Sequence, residues 1–478
     1  LHFPNTDKLE SVGSFAFYNC QRLYELIAPN ITSIGEGAFA LCAYLEKIYI
    51  PNNLTSVLSL FSDEVASSVD FYSNSGYYIP LSLKEITLTL GGDDLSLADE
   101  YLMGFSSIQT INLPLGLESI GRYALSGTGI VTIDIPDSVQ TIDEYGLSSN
   151  SKLRTVSISP DSVLEAINAN VFNGCILLEE LFVPKTVQSF DLTAITDCNN
   201  LKNIFVDKEN EIYFDDNGVL YCQDTLLHYP KDRTYSSYTV IEGTKYIVPG
   251  AFTDTMLLDI VLPESLLDAQ GAFTNKEFRA VVMCALVTID NIFDDSVTIE
   301  ELTIKGQYIL DEFASNLVTP KVIIESGVIE IGKKAFYQSG IEEIFIPASI
   351  QTIKAQAFAE CESLIDIVFE DQYTLVEVGM EAFHGTSWYQ NQIDNQVIYI
   401  GNIAYGYVGD MPDEAELIIR EGVTTIADHA FRDLSAVHSI TLPSTLETIG
   451  KYAFANLENL SHISFNEFSF KSPTSILL

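Results

Sequence analysis

Residues 331–353 read Ile-Gly-Lys-Lys-Ala-Phe-Tyr-Gln-Ser-Gly-Ile-Glu-Glu-Ile-Phe-Ile-Pro-Ala-Ser-Ile-Gln-Thr-Ile, and at Ile353 the phrase begins again. Ile331, Ala335 and Phe336 recur as Ile353, Ala357 and Phe358, and Ile341, Ile344 and Ile346 recur as Leu364, Ile367 and Phe369. The same phrase stands near the start (Ile34, Ala38, Phe39, then Leu45, Ile48, Ile50, Pro51) and near the end (Ile449, Ala453, Phe454, then Leu460, Ile463, Phe465). Self-similarity at a period of about 22 to 23 residues is the mark of a solenoid. One such unit cannot bury its own apolar edge, so it gains a core only by stacking on its neighbours.

Each position of the phrase has a physical task. The alternation of Ile48 and Ile50 predicts a short strand with one buried face. The proline that follows, as at Pro51, Pro136, Pro184, Pro347 and Pro443, lacks an amide hydrogen and predicts the strand's end. The Ile-Gly-x-x-Ala-Phe segment turns the chain back, with alanine allowing close packing and phenylalanine filling the space between coils. Where the spacing is one residue shorter, Gly129 or Gly340 precedes the strand, which predicts a positive φ in a tighter turn.

The regular phrase is interrupted four times. Residues 58–107 and 276–325 are read as irregular repeats, the first carrying polar stretches at 63–64, 73–76 and 91–94 and a strand through Leu83, Ile86 and Leu88, the second carrying strands at Leu302–Ile304 and Val322–Ile324. Residues 207–239 are read as an insertion built on a hairpin at Asn217-Gly218. Residues 384–412 are read as a second insertion, with Trp388 and Tyr389 and a hairpin turning on Gly401-Asn402. The organisation is one solenoid over residues 1–478.

Charge limits the partners. Lys+Arg number 24 against 66 Asp+Glu, a net charge of −42, which repels nucleic-acid phosphate and anionic lipid. No apolar run approaches the ~18 residues of a membrane helix. Leu1 falls in mid-pattern, which is expected where a signal peptide has been removed or where the chain has been trimmed. Cys20, Cys42, Cys175, Cys198 and Cys361 share one repeat position with Thr128, Ser339 and Thr386, which points to buried packing rather than metal or redox work. The Gly327-to-Lys333 and Gly35-to-Ala40 glycine patterns imitate phosphate and dinucleotide loops, but they arise from the repeat phase. Asp215-Asp216-Asn217 suits a hairpin turn better than a calcium loop. No catalytic, cofactor or metal residues are expected.

The pattern Leu-x-x-Ile-x-Ile-Pro-x-x-Leu-x-x-Ile-Gly-x-x-Ala-Phe-x-x-Cys resembles the BspA-type leucine-rich repeat. The resemblance implies an α/β leucine-rich-repeat solenoid: a curved right-handed array with a parallel sheet on its concave face, short helical, 3-10 or irregular segments on the convex side, and hairpin insertions. It also implies a secreted or surface-attached, non-enzymatic adhesion protein of a host-associated bacterium, monomeric, binding a host protein or, as another possibility, a glycan. The alternatives are a spacer holding another domain off the cell surface and, more remotely, a glycan-active enzyme.

Stacked strands place equivalent residues in columns on the outer sheet face. One column contains Tyr49, Phe182, Phe205 and Phe345, with Glu179 and Glu180 beside the Phe182–Phe205 pair. Exposed aromatics next to charges suit an interface anchor. Equally, the first insertion, which starts at Asp207, could fold over that pair. Trp388, Tyr389, Tyr405 and Tyr407 crowd the second insertion, where they suit either partner contact or a small hairpin core.

Overall fold

In the computed structural model the described residues are 8–54, 57–62, 80–91, 95–294, 296–392 and 396–466. The expectations at 63–64, 73–76 and 92–94 therefore lie outside them. The chain forms two compact units, residues 1–234 with 254–256, and residues 235–253 with 257–478.

Within each unit the coil has three sides. The first is the predicted strand. Glu343–Ile346 lies parallel to Asp366–Phe369, with Ile344 opposite Ile367 and Phe345 opposite Val368. In-register stacking puts every second side chain into the core, so Ile344 and Ile346 are buried while Phe345 stays at the surface. The second side is a two-residue strand, Glu330–Ile331 on Thr352–Ile353. Fully burying one such Ile or Leu contributes about 1.5–3 kcal/mol, and the phrase repeats several per coil.

The third side is the Gly-x-x-Ala-Phe segment: 3-10 helix in some coils, as at Leu192–Ile195 and Ile289–Asn291, and in the regular coils a hydrogen-bonded ladder of turns. Lys334, Phe336 and Gln338 donate their N–H groups to the carbonyls of Ala355, Ala357 and Ala359 on the next coil, at 3.1, 2.8 and 3.0 Å. Between these bonds the backbone enters the left-handed region at Lys334 (φ 54°) and Gln338 (φ 57°), and again at Gln356 (57°) and Glu360 (60°). Each such non-glycine residue costs about 1 kcal/mol, and the ladder to the next coil holds it there. Among the described residues α-helix is confined to Ser387–Gln390.

Phenylalanines fill the space between coils as expected. Phe336, Phe358 and Phe383 stack with centroids 5.2 and 5.3 Å apart and planes within 4°. The cysteine position is a hydrogen-bonding site. Cys42, Cys175, Cys198 and Cys361 direct their thiols at the carbonyls of Phe17, Leu147, Phe172 and Phe336, and Asn150 reaches Leu125 O in the same way. All seven cysteines are free thiols.

Three expectations need correction. Neither Gly129 nor Gly340 adopts a positive φ. Gly129 is required by close approach, since a Cβ there would lie 2.3 Å from the Ser106 carbonyl oxygen, whereas at Gly340 the nearest atom is 3.6 Å away. Residues 276–325 form the strands expected at Leu302–Ile304 and Val322–Ile324, but carry more strand than expected: Glu277–Cys284 and Thr298–Lys305 have 8 residues each, in a seven-stranded sheet that runs from Ser237–Thr239 to Asp366–Phe369. The turn phrase is worn there, but Val281 and Met283 keep the inward alternation. The second insertion is also partly coil, because Ile403 and Ala404 pair in parallel with Thr425 and Ile426.

Both hairpins form. Tyr213–Asp216 pairs antiparallel with Val219–Cys222 around Asn217 (φ 50°) and Gly218 (φ 86°), the two positive φ values that a tight turn of matching twist requires. Gln396–Ile400 pairs antiparallel with Ile403–Val408 around Gly401-Asn402. An arginine holds each turn. Arg233 donates to the Asn217 carbonyl at 2.6 Å, and Arg420 donates to the Gly401 carbonyl at 2.8 Å.

Candidate binding surfaces

In the first unit the strands Lys47–Pro51, Glu85–Thr89 and Thr110–Asn112 align Tyr49 with Thr87 and Asn112. Tyr49 and Thr87 face a cleft of about 600 Å³ bounded by Leu90 and Pro114. Phe182 and Phe205 are direct partners on Glu180–Val183 and Asn203–Val206. The first hairpin does not cover them. It docks on the edge of Asn203–Val206, where Gly218 O accepts the Ile204 N–H and the Asp215 carboxylate accepts that of Val206. Phe205 remains 39 % exposed, and Phe182 is half-buried. Edge N–H groups on a strand invite unwanted pairing, and the hairpin satisfies them.

The charges beside this pair are engaged within the protein. Glu179 bridges Lys202 at 3.2 Å and Arg154 at 2.9 Å. The Lys202 hydrogen bond, followed by its charge and by Arg154, holds the Glu179 carboxyl below its ordinary range. Glu180 accepts from Asn203.

In the second unit the Phe345 column is longer than the sequence reading showed. Val261, Val282, Thr303, Ile323, Phe345 and Val368 follow one another in register. The first five are half-buried and Val368 is 45 % exposed. Val282, Thr303 and Ile323 were missed because they sit in strands whose turn phrase is worn. The strand alternation around Val281, Leu302 and Val322 was the signal that could have found them. Beside this apolar line runs a charged one, Asp259, Ala280, Glu301, Lys321, Glu343 and Asp366. Asp259 is paired with Arg279 and Glu301 with Lys321, while Glu343 and Asp366 form no ion pair among the described residues.

The aromatic residues of the second insertion divide between core and surface. Tyr405 is 6 % exposed, packs edge-on against Phe383 at 5.7 Å and accepts the Phe383 N–H. Trp388 lies 5.1 Å from the Phe383 ring and Tyr389 6.1 Å from that of Tyr405. These three therefore extend the phenylalanine stack. Burial raises the Tyr389 and Tyr405 hydroxyls above their ordinary pKa. Tyr407 is half-buried and lines a groove of about 460 Å³ with Tyr399, Met411, Pro412 and Ile418. Asp215 spends its carboxylate on the N–H groups of Val206 and Gly218, the hairpin role expected for it.

Residues 1–77, 74–202, 287–410 and 414–475 match the BspA type leucine-rich repeat region, in 6 copies. Similar solved structures include a leucine-rich repeat protein from Bacteroides ovatus (19 % identity, 95 % of this chain and 82 % of that one, TM-score 0.27). Others are a leucine rich cell surface protein from Faecalibacterium prausnitzii (17 %, 96 % and 83 %, 0.31) and the pneumococcal vaccine antigen PcpA (19 %, 68 % and 89 %, 0.41). No curated protein matches the sequence. The matched segments take in most of the length, and the stacked coils carry the motif residues in their expected places. The chain belongs to the BspA-type leucine-rich repeat family.

Proposed function

We propose that this chain is a non-enzymatic binding module displayed on a bacterial surface, which engages a protein through the outer face of its main sheet. The observation that carries the reading is the apolar column from Val261 to Val368 beside the charged column from Asp259 to Asp366. Cross-strand pairs of β-branched and aromatic side chains stabilise the sheet by about 0.2–1 kcal/mol each, and six consecutive rungs of them also leave a continuous strip that a partner can cover. Such a strip supplies a desolvated centre for an interface, and the carboxylates beside it supply the polar rim. Phe205 offers a smaller anchor in the first unit, and family membership supports the surface location.

The test is surface plasmon resonance of the purified chain against a panel of extracellular-matrix proteins, followed by Ile323→Asp and Phe345→Asp on any partner found. Both side chains are only half-buried, so the variants stay folded by thermal melting. At least a tenfold loss of affinity is expected. Unchanged affinity in both would remove the sheet face from the function.

A further inference from the structure

The main sheet of the second unit stops at Asp366–Phe369, which pairs with Glu343–Ile346 and with no other strand among the described residues. Asp366 and Glu370 donate their N–H groups backward, to the carbonyls of Glu342 and Ile346 at 3.2 and 2.9 Å. Successive residues of a strand turn their backbone groups to opposite edges, so Ile367 and Phe369 direct theirs forward, where a further strand would pair. Neither meets a hydrogen-bond partner there among the described residues.

The first unit meets the same break and closes it. Leu201 O accepts the Asp232 N–H at 3.0 Å, and the first hairpin covers the edge by taking the N–H groups of Ile204 and Val206. Both of those side chains are buried. At the second break Leu364 O accepts the Trp388 N–H at 2.7 Å in the equivalent way, but the hairpin turns elsewhere: Gly401 lies against Gln372, past the end of the strand. Ile367 and Phe369 are only half-buried, whereas Ile344 and Ile346 in the strand before are 0 and 1 % exposed. Val368 is 45 % and Ile365 51 % exposed. Core-facing and outward side chains therefore stand open along one strand edge, a feature that sheets ordinarily protect.

We propose that the forward edge of Asp366–Phe369 takes up an extended, basic peptide segment of a partner protein as the next strand of the sheet. Strand addition satisfies the backbone groups of Ile367 and Phe369 and covers their side chains in one step. Charge selects the occupant. Along the line that ends at Asp366, Asp259 is matched by Arg279 and Glu301 by Lys321, but Glu343 and Asp366 form no ion pair among the described residues. A lysine or arginine opposite Asp366 continues the matching. A second copy of this chain fits badly: two such edges laid antiparallel about Val368 would set Asp366 opposite Glu370 twice, and directly opposed like charges destabilise a pair. The contact is made by the edge rather than by the outer face, and Ile323 lies two strands away, so failure of the sheet-face reading leaves this one standing.

The probe is the capped pentapeptide acetyl-Lys-Val-Thr-Val-Lys-amide, whose side chains read the same from either end and so suit a parallel or an antiparallel addition. It is titrated into the full chain at physiological salt while backbone amide resonances are followed by NMR. Saturable shifts are expected at Ile367 and Phe369, and none at Ile204 and Val206, whose edge is closed. The same peptide methylated at its three central backbone nitrogens keeps its charge and side chains but loses donors toward the edge, and it should bind at least tenfold more weakly. Equal binding of the two peptides would show simple attraction to an acidic surface and overturn the proposal, as would absence of saturable shifts at Ile367 and Phe369. Shifts at those amides that grow with protein concentration alone, with self-association by sedimentation equilibrium, would assign the edge to a second copy and overturn it too. Because the protein is unaltered in every arm, misfolding of a variant cannot imitate any of these results.

Discussion

The hydroxyl of Tyr405 stands 2.9 Å from the backbone nitrogen of Phe383 and accepts its N–H, in the place where a regular coil offers a carbonyl, as Ala382 does to Phe358 at 2.8 Å. The first hairpin repeats the device: the Tyr213 hydroxyl accepts the N–H of Phe190 at 3.0 Å. At both hairpins a tyrosine reaches back to finish a ladder that the chain has left.

Tyr405→Phe removes one oxygen and strands a buried N–H. The expected cost is about 1–3 kcal/mol, read as a lower urea midpoint at unchanged m-value. Hydrogen exchange at the Phe383 amide should accelerate, while that at Phe358 should not. Tyr213→Phe should act in the same way on Phe190.

The phenylalanine stack makes a second prediction. Phe358 is fully buried between Phe336 and Phe383, so Phe358→Ala should cost about 3–5 kcal/mol. Phe358→Leu keeps most of the volume and should cost less than half of that in the same denaturation series. Equal effects would mean that ring stacking, not filling of space, dominates the site.

Thiol chemistry follows burial. Burial pushes Cys42 up to about 11 and Cys175 up to about 12, while Cys20 is exposed. Iodoacetamide at pH 8 should alkylate Cys20 first and leave Cys42 and Cys175 intact until the protein unfolds, as read by peptide mass spectrometry. Cys361→Ser should be tolerated within about 1 kcal/mol, because a hydroxyl can donate to Phe336 O as the thiol does.

His228 gives a pH dependence with a definite sign. Burial, with Lys231 adding to it, pushes its pKa from 6.5 down to about 4, so the folded state holds the ring neutral. The unfolded chain takes up a proton below about 6.5. The histidine's contribution is therefore fully present above that pH and is lost as the pH falls toward 4. Between pH 7.5 and pH 5 the wild type should lose on the order of 1–2 kcal/mol more stability than His228→Gln. Parallel melting curves of the two proteins would contradict this.

Legibility in the sequence followed the period. The phrase around Ile331 contained the strand, its proline stop, the buried Ile and Phe positions and the parallel stacking, because each is a local consequence of spacing and side-chain type. Asn217-Gly218 and Gly401-Asn402 were readable as turns for the same reason. The column containing Phe345 was readable only in part: Val282, Thr303 and Ile323 belong to coils whose turn phrase is worn, although their strand alternation is intact.

What only the tertiary structure decided lies between coils. Left-handed backbone at Lys334 and Gln338 is unfavourable for an isolated segment and is held by carbonyls one coil away, so no local pattern announces it. Whether Phe205 stayed open depended on which edge the first hairpin docked against, and whether Trp388 and Tyr405 were anchors or core depended on their distance from Phe383. Side-chain type determines what a residue can do, whereas the register of distant strands determines which groups it meets. The sequence by itself therefore determined the coil, and the stacking decided which of its aromatic residues remain at the surface.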